Sequence, residues 1–433
     1  MPLPSLIEIV PLPSAVRAEI VVPGSKSITN RALILAALAP GKTGLEGALW
    51  SEDTQVMTEC LRKLGYAVEA TPDPGEPANR LITIAGQGSR VPRGGSVEQP
   101  LDLFVGNAGT AARFLAALVC LGEGVYRLQG IPRMHERPQA ALFHALRQLG
   151  YRLDSPNDRL PVLVHGGGPR SGRARVSIAE SSQFASALLL SAQAGGWSVD
   201  IEGDNADESP YVKMTAELRA QFPRRGGVFR IEPDASSGSY FWAAGWLNRA
   251  IGTSDPPGIP APAAITVAHW PRTGWQIDAE FPRFLPLPSV ISRQRDLGDA
   301  IMTAIVLAPW ADRAVVFSDL ARLRAQECER VRALRTELTR CGARVSEEGE
   351  TLTIHPSPLR GAEIHTYGDH RMAMCFATLA LRVPGIRIQD PACVRKTFPN
   401  FFAKLSAPPP HGLGATIRDA ATGRPLAGND LEA

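Results

Sequence analysis

Runs of small apolar residues, each opened by a short polar or glycine-bearing cluster, recur along the chain. The first is Ala32-Leu33-Ile34-Leu35-Ala36-Ala37-Leu38-Ala39, which follows Gly24-Ser25-Lys26-Ser27-Ile28-Thr29-Asn30-Arg31 and the β-branched run Ile20-Val21-Val22. Similar starts stand at Asn107 to Leu115, Glu180 to Leu188, Asp234 to Phe241, Gly298 to Thr303 and Gly368 to Met374. These six starts lie roughly 55 to 85 residues apart, a spacing that indicates internal repetition. A second, amphipathic helix follows in most repeats: Asp53 to Leu64, Arg137 to Leu149, Pro210 to Phe222 and Glu327 to Cys341. Glycines at positions 65, 150 and 342 suit C-caps, and alternating strands follow at Tyr66 to Glu69 and Ala343 to Ser346. The pattern predicts an α/β chain in which the first helix of each repeat is buried and the second faces water.

The fifth repeat breaks the pattern. Its second helix is expected near Gln276 to Leu285, where Pro282, Pro286 and Pro288 interrupt it. Ser254 to Pro262 reads as a rigid extended loop. After residue 406 the Ala407-Pro408-Pro409-Pro410 start and the loss of periodicity predict an appended tail, residues 407–433. Three repeats to a half would give two similar globules. If the six buried helices point their N-termini towards one inter-domain cleft, their dipoles sum there and favour a polyanionic ligand.

Composition narrows the classes. With 433 residues the chain is long enough for two domains, and a net charge of +3 is too small to argue for nucleic acid. Six cysteines without CxxC spacing fit reduced thiols and offer no zinc site; no metal or organic cofactor is expected. The N-terminus lacks a signal-peptide pattern and no apolar run spans a bilayer, so a cytoplasmic protein without membrane contact is expected. The Gly24 to Arg31 turn is not a P-loop, which needs a second glycine five positions on. It remains an anion-binding candidate, because free N–H groups at a helix start are joined by Lys26 and Arg31.

Seven motifs occur in order across almost the whole chain: Gly24-Ser-Lys-Ser-Ile-Thr-Asn-Arg31, Gly106-Asn-Ala-Gly-Thr110, Glu136-Arg-Pro138, Ser181-Ser-Gln183, Asp234-Ala-Ser-Ser237, Gly368-Asp-His-Arg-Met372 and Lys396-Thr-Phe-Pro399. In this the chain resembles the 5-enolpyruvylshikimate-3-phosphate synthases. The resemblance implies two domains of three βαβαββ units each, an inside-out α/β barrel-like arrangement with the active site in the cleft between them. It places the domains at 1–21 with 234–406 and at 22–233. It implies transfer of the enolpyruvyl group of phosphoenolpyruvate to the 5-hydroxyl of shikimate 3-phosphate, with small anionic substrates as the partners of a monomer. Hinge closure around the ligands and inhibition by glyphosate near Gly109 are expected as well.

By the same resemblance, Lys26, Asn107, Gly109, Arg137, Gln183, Arg330, Arg371 and Lys396 hold phosphoenolpyruvate. Lys26, Ser27, Arg31, Ser181, Ser182, Gln183, Tyr211, Asp299 and Gln326 surround shikimate 3-phosphate. The residue types suit the chemistry, since arginine grips carboxylate or phosphate with a fork and lysine supplies a point charge. Two proton transfers require acid–base groups. Glu327 is assigned to the methylene carbon, Asp299 to the 5-hydroxyl, Lys26 to assistance, and His370 to donation near the leaving phosphate. The bland alternatives are an N-cap for Asp299, a first-turn dipole partner for Glu327 and a structural hydrogen bond for His370.

The chain departs from the family pattern at four places. Gln326 stands for a lysine, Arg322 for a small polar residue, Glu329 for an aspartate, and Glu208 for a phosphate-binding hydroxyl, with Ser209 beside it. All four fall on the acceptor side or its support. Two other readings therefore stay open: an enolpyruvyl transferase acting on a different cyclic alcohol, and a non-catalytic anion-binding relative.

Overall fold

The structure is a computed structural model that describes residues 3–203, 209–248 and 265–433. Glu208 and the loop expected over 254–262 lie outside the described residues. The chain forms two compact units. The terminal unit is Met1–Pro23 with Pro233–Ala433, and the central unit is Gly24–Glu232.

In chain order, β1 (Leu6–Ile9) and β2 (Ala18–Ile20) belong to the terminal unit. The central unit follows with α1 (Lys26–Leu38), β3 (Pro40–Leu49), α2 (Glu52–Lys63), β4 (Ala67–Pro72) and β5 (Asn79–Gln87). It continues with β6 (Leu101–Phe104), α3 (Gly109–Cys120), β7 (Glu123–Gln129), α4 (Pro132–Glu136), α5 (Ala140–Gln148), β8 (Arg152–Asp154) and β9 (Val162–Gly167). It ends with β10 (Gly172–Ser177), α6 (Ser182–Gly195), β11 (Trp197–Glu202), α7 (Ser209–Gln221) and β12 (Gly227–Arg230). The terminal unit resumes with α8 (Ala235–Asn248), β13 (Ile265–Val267), β14 (Val290–Ser292), α9 (Ile301–Leu307), β15 (Val315–Ser318), α10 (Arg330–Arg340), β16 (Arg344–Glu348) and β17 (Thr351–His355). Its last elements are β18 (Glu363–Ile364), α11 (His370–Ala380), β19 (Arg387–Gln389), α12 (Phe401–Ser406) and β20 (Ile417–Asp419).

The repeat is visible in the sheets. Four of them share one plan, a parallel pair extended by two antiparallel partners: β6-β7-β9-β8, β14-β15-β17-β16, β12-β3-β5-β4 and β18-β19-β1-β20. Two parallel pairs, β10-β11 and β13-β2, complete the set. A buried helix leads into the second strand of each parallel pair. These helices are small and apolar enough to pack inside; every residue of α3 is buried. The second helices keep a wet face, as in α2, where a Ser51–Thr54 capping box and acidic and basic ends suit the dipole.

Chain order and sheet membership part company at two strands. The strand before α1 is β2, yet β2 pairs with β13, the strand after α8. The strand before α8 is β12, yet β12 pairs with β3, the strand after α1. The chain crosses between units at these two points, after Pro23 and after Glu232.

Four expectations need correction. The tail is no appendage: β20 pairs with β1, and Leu413, Ile417, Leu426 and Leu431 are buried in the terminal core. The interrupted helix expected in the fifth repeat precedes β14 and so belongs to the fourth; Ile277–Phe284 is a 3₁₀ helix containing Pro282. The helix expected from Arg137 starts at Ala140, because Arg137 is the C-cap of α4 and Pro138 follows it. The helix expected from Glu327 starts at Arg330, with Glu329 as its N-cap.

Candidate functional site

In the central unit the first two turns of α1, α3 and α6 meet. Asn30 donates to the Thr110 hydroxyl at 2.7 Å, Arg31 to the Ser186 hydroxyl at 3.1 Å, and Arg113 to the Gln183 amide oxygen at 2.7 Å. None of the three helices carries an acidic residue in its first turn. Ser25 and Ala108 cap α1 and α3 without a side-chain bond, and the Ser181 hydroxyl accepts from Gln183 N at 3.3 Å in α6. The positive ends of these helices therefore have no carboxylate at their N-caps, which suits an anion.

The side chains at this end divide into two kinds. Lys26 is 17% exposed and pairs with the buried Asp53 carboxylate at 3.1 Å, which fixes its ammonium at the start of α1. Arg31, expected at the substrate ring, is 1% exposed. Its guanidinium donates to Thr215 Oγ1 at 2.7 Å and to the Ser27 carbonyl at 2.9 Å, and it lies over Phe114. Thr215 in turn donates to the Tyr211 carbonyl at 2.9 Å, so Arg31 joins α1, α6 and α7. Ser181 and Ser182 are buried at the start of α6.

A narrow place surrounds Gly109. A Cβ there would stand 2.7 Å from Arg113 Nη1 and 2.8 Å from Arg137 Nη2. Arg137 also donates to the Asn107 carbonyl at 3.2 Å. Gly24 is required by backbone, since a Cβ on it would lie 1.9 Å from the Gly47 carbonyl oxygen.

In the terminal unit the first two turns of α8, α9 and α11 also meet, through Ser239 and Thr303 at 2.8 Å and Thr303 and Cys375 at 4.0 Å. Here each helix start is already met by a carboxylate. Asp234 accepts from Ser237 N at 2.7 Å, Asp278 from Gly298 N at 2.7 Å and Ala300 N at 3.2 Å, and Asp369 from Arg371 N at 2.9 Å. These three helix starts, already met by acidic side chains, offer less to an anion than those of α1, α3 and α6.

This unit also gathers a cluster of guanidinium groups around the carboxylates of Asp299 and Asp369. Asp299 pairs with Arg371 at 3.1 Å and with the buried Arg293 at 3.4 Å, and Arg330 stands 3.9 Å away. Arg330, 1% exposed, also reaches Glu327 at 2.9 Å and grips Asp369 with Nε at 2.6 Å and Nη2 at 3.1 Å. Gln326 accepts from Arg330 and donates to Asp299 at 3.4 Å. His370 Nδ1 is 3.8 Å from the Asp369 carboxylate, and Lys396 is buried in a short 3₁₀ helix, Pro391–Lys396.

Burial alone would raise the Asp299 carboxyl, but Arg371, Arg330 and Arg293 outweigh it and hold it well below the carboxylate range. The same carboxylates, with Asp369 foremost, overcome the burial of Arg330 and raise its guanidinium further. Asp299 is not an N-cap: Ala300 holds that place in α9, without a side-chain bond. Its carboxylate therefore faces cations and not the helix.

Sequence reasoning did not select Asp53, Arg113, Arg293, Asp278 or Asp369 as site residues. Asp369 stood inside a recognised motif. The signal for the others was weak: Asp53 reads as an ordinary first-turn acid, and Arg113 as a lone cation in an apolar helix. Among the described residues no group of three or more His, Cys, Asp or Glu could hold a metal ion, and no helix is long and apolar enough to cross a membrane.

Residues 10–225 and 288–405 match the EPSP synthase (3-phosphoshikimate 1-carboxyvinyltransferase) family. A 3-phosphoshikimate 1-carboxyvinyltransferase of Trichormus variabilis is 36% identical over 432 residues, covering 90% of this chain and 96% of the relative. The enzyme of the same name from Opitutus terrae is 38% identical over 448 residues, covering 94% and 98%. Among solved structures, an EPSP synthase from Acinetobacter baumannii superposes with a TM-score of 0.68 at 21% identity, covering 96% of this chain and all of that one. An enolpyruvyl transferase from Streptomyces tendae gives 0.63 at 17%, covering 95% and 98%, a likeness of fold. With its seven motifs in order and its matches running through both units, this chain belongs to the EPSP synthase family.

Proposed function

We propose that the chain transfers the enolpyruvyl group of phosphoenolpyruvate to the 5-hydroxyl of shikimate 3-phosphate and releases phosphate. The observation that carries this reading is the Asp299–Glu327–Arg330–Arg371 cluster: two carboxylates held among guanidinium groups, as two proton transfers beside anionic substrates require. Arg330, Arg371 and Lys396, with Lys26, Asn107, Gly109, Arg137 and Gln183, hold phosphoenolpyruvate. Ser181, Ser182, Gln183, Ser27 and Tyr211, with Asp299 and Gln326, hold shikimate 3-phosphate. Arg31 supports that set from inside by fixing α1, α6 and α7.

The 5-hydroxyl loses a proton as its oxygen attacks C2 of phosphoenolpyruvate, and the methylene carbon gains one. The tetrahedral adduct then gives that proton back and expels phosphate. With its carboxyl held low, Asp299 is a weak base in the free protein. When Arg371 and Arg330 turn to the substrate's anionic groups, their hold on Asp299 loosens and its basicity rises. Glu327 exchanges the proton at the methylene carbon, and Lys26 and His370 assist. Replacing Glu327 with Gln tests this: turnover should fall by about 10² or more with little change in KM. Unchanged turnover would remove the assignment.

A second acceptor is favoured by one observation. Gln326, neutral, bridges Arg330 and Asp299 where the resemblance calls for a cation. Offering unphosphorylated cyclic alcohols beside shikimate 3-phosphate decides between them by kcat/KM. The reaction belongs in the cytoplasm, a reading supported by six free cysteines. The protein is read as a monomer, and light scattering should give the mass of one chain.

A further inference from the structure

We infer that the central unit carries a second binding site, at the far end of α1 and α6 from Lys26 and Ser181, for a small apolar carboxylate such as an arylalkanoate. A cavity of about 290 Å³ lies there, lined on its apolar side by Leu35 and Leu38 of α1, Leu190 of α6 and Phe222 just past α7, and on its polar side by Ser89, Gln193, Arg219 and Arg224. Leu190 and Phe222 are buried, whereas Leu35 and Leu38 are only half-buried and offer apolar surface to the space.

The charge lining it is one-sided. Arg219 is half-buried and, among the described residues, has no hydrogen-bond or ion-pair partner. Its guanidinium is pulled below its ordinary value by burial. Arg224 is exposed at the same wall and likewise has no side-chain partner. A half-buried guanidinium without a counter-charge favours an anion that brings two oxygens to its fork. The apolar wall favours a hydrocarbon body, and the volume, at the small end for ligand pockets, limits it to about one ring.

Free phosphate would engage only the polar side and leave the leucine and phenylalanine surface uncovered, so an anion with a hydrocarbon body is the better fit. Thirteen residues of α1 separate the two ends by about 18 Å, so the site is distinct from the helix starts. The inference does not rest on the proposed reaction, since binding can be read without turnover.

The test is a saturation-transfer NMR titration of the full chain with 3-phenylpropanoate and, in parallel, its neutral amide. Saturable binding with a Kd on the order of 1 mM is expected. Binding of the amide, or of the acid to Arg219→Gln, should be roughly tenfold weaker. Leu38→Trp, which fills the cavity, should abolish binding, with thermal melting showing that each variant folds. Phosphoenolpyruvate and inorganic phosphate should not displace the probe. Absence of saturable binding, equal affinity for acid and amide, or displacement by either anion would overturn the site. The acid–amide comparison on the unaltered chain stands even if a variant fails to fold.

Discussion

Asp369 is the residue on which the guanidinium cluster turns. It is fully buried, caps α11 and takes two bonds from Arg330. Asp369→Asn leaves Arg330 without its main counter-charge in the interior, so unfolding free energy should fall by on the order of 3 kcal/mol, read by urea titration. The KM for phosphoenolpyruvate should rise with it, because Arg330 is no longer aimed. Asp299 gives a pH signature. A carboxyl that folding holds below its ordinary value stabilises the folded state above that value, and the contribution is lost as pH falls through the folded value. The stability gap between the unaltered chain and Asp299→Asn should therefore be full at pH 7 and shrink only below about pH 4. A gap that closed between pH 7 and pH 5 would contradict the three-arginine environment. At Gly109 the neighbours of an added methyl are the ends of two flexible arginines and not backbone. Gly109→Ala should fold, raise the KM for phosphoenolpyruvate by about tenfold and weaken inhibition by glyphosate, as steady-state kinetics would show.

At the level of elements, helix starts and caps explain both what could be read ahead and what could not. The buried helices were legible because runs of alanine and leucine opened by polar clusters have few other uses. Ends were less so. Glu327 looked like a helix start, but Glu329 takes the capping bond from Arg332 and leaves Glu327 to Arg330. Arg137 looked helical, yet Pro138 disfavours helical backbone at the residue before it. Part of the capping of α8 and α9 comes from a distant segment: Gln276 accepts from Ala235 N, 41 residues away, and Asp278 accepts from Gly298 N and Ala300 N, 20 and 22 residues away. No local pattern announces such a partner. The tight approach of Gly24 to Gly47 is likewise tertiary. Gly47 sits at the register shift of β3 against β5, with φ at +67°. Gly24→Ala must push backbone from backbone and should cost about 3 kcal/mol or more, or prevent folding, measured by chemical unfolding.

Over the whole molecule, the repeat number and the buried-helix plan followed from hydrophobic periodicity, whereas the domain boundaries rested on resemblance alone and the exchange of β2 and β12 was not foreseen. Neither strand is marked in sequence as belonging away from the helix that follows it. The end of the chain was misread because its buried residues, Leu413, Ile417, Leu426 and Leu431, are spaced too irregularly to show a period, and β20 is three residues long. The site was legible as a set of motifs but not as geometry. Arg31 and Arg330 both read as anion grips. The structure buries the first among hydroxyls and aromatic carbon and sets the second among carboxylates.

The measurement that tests the account most directly is phosphate release from phosphoenolpyruvate in the presence of shikimate 3-phosphate, with mass spectrometry of the product. Steady release that depends on both substrates, with an enolpyruvyl adduct of the acceptor, is the predicted result. Bound phosphoenolpyruvate with no turnover and no adduct would contradict it, and would leave the guanidinium cluster as a site that binds without reacting.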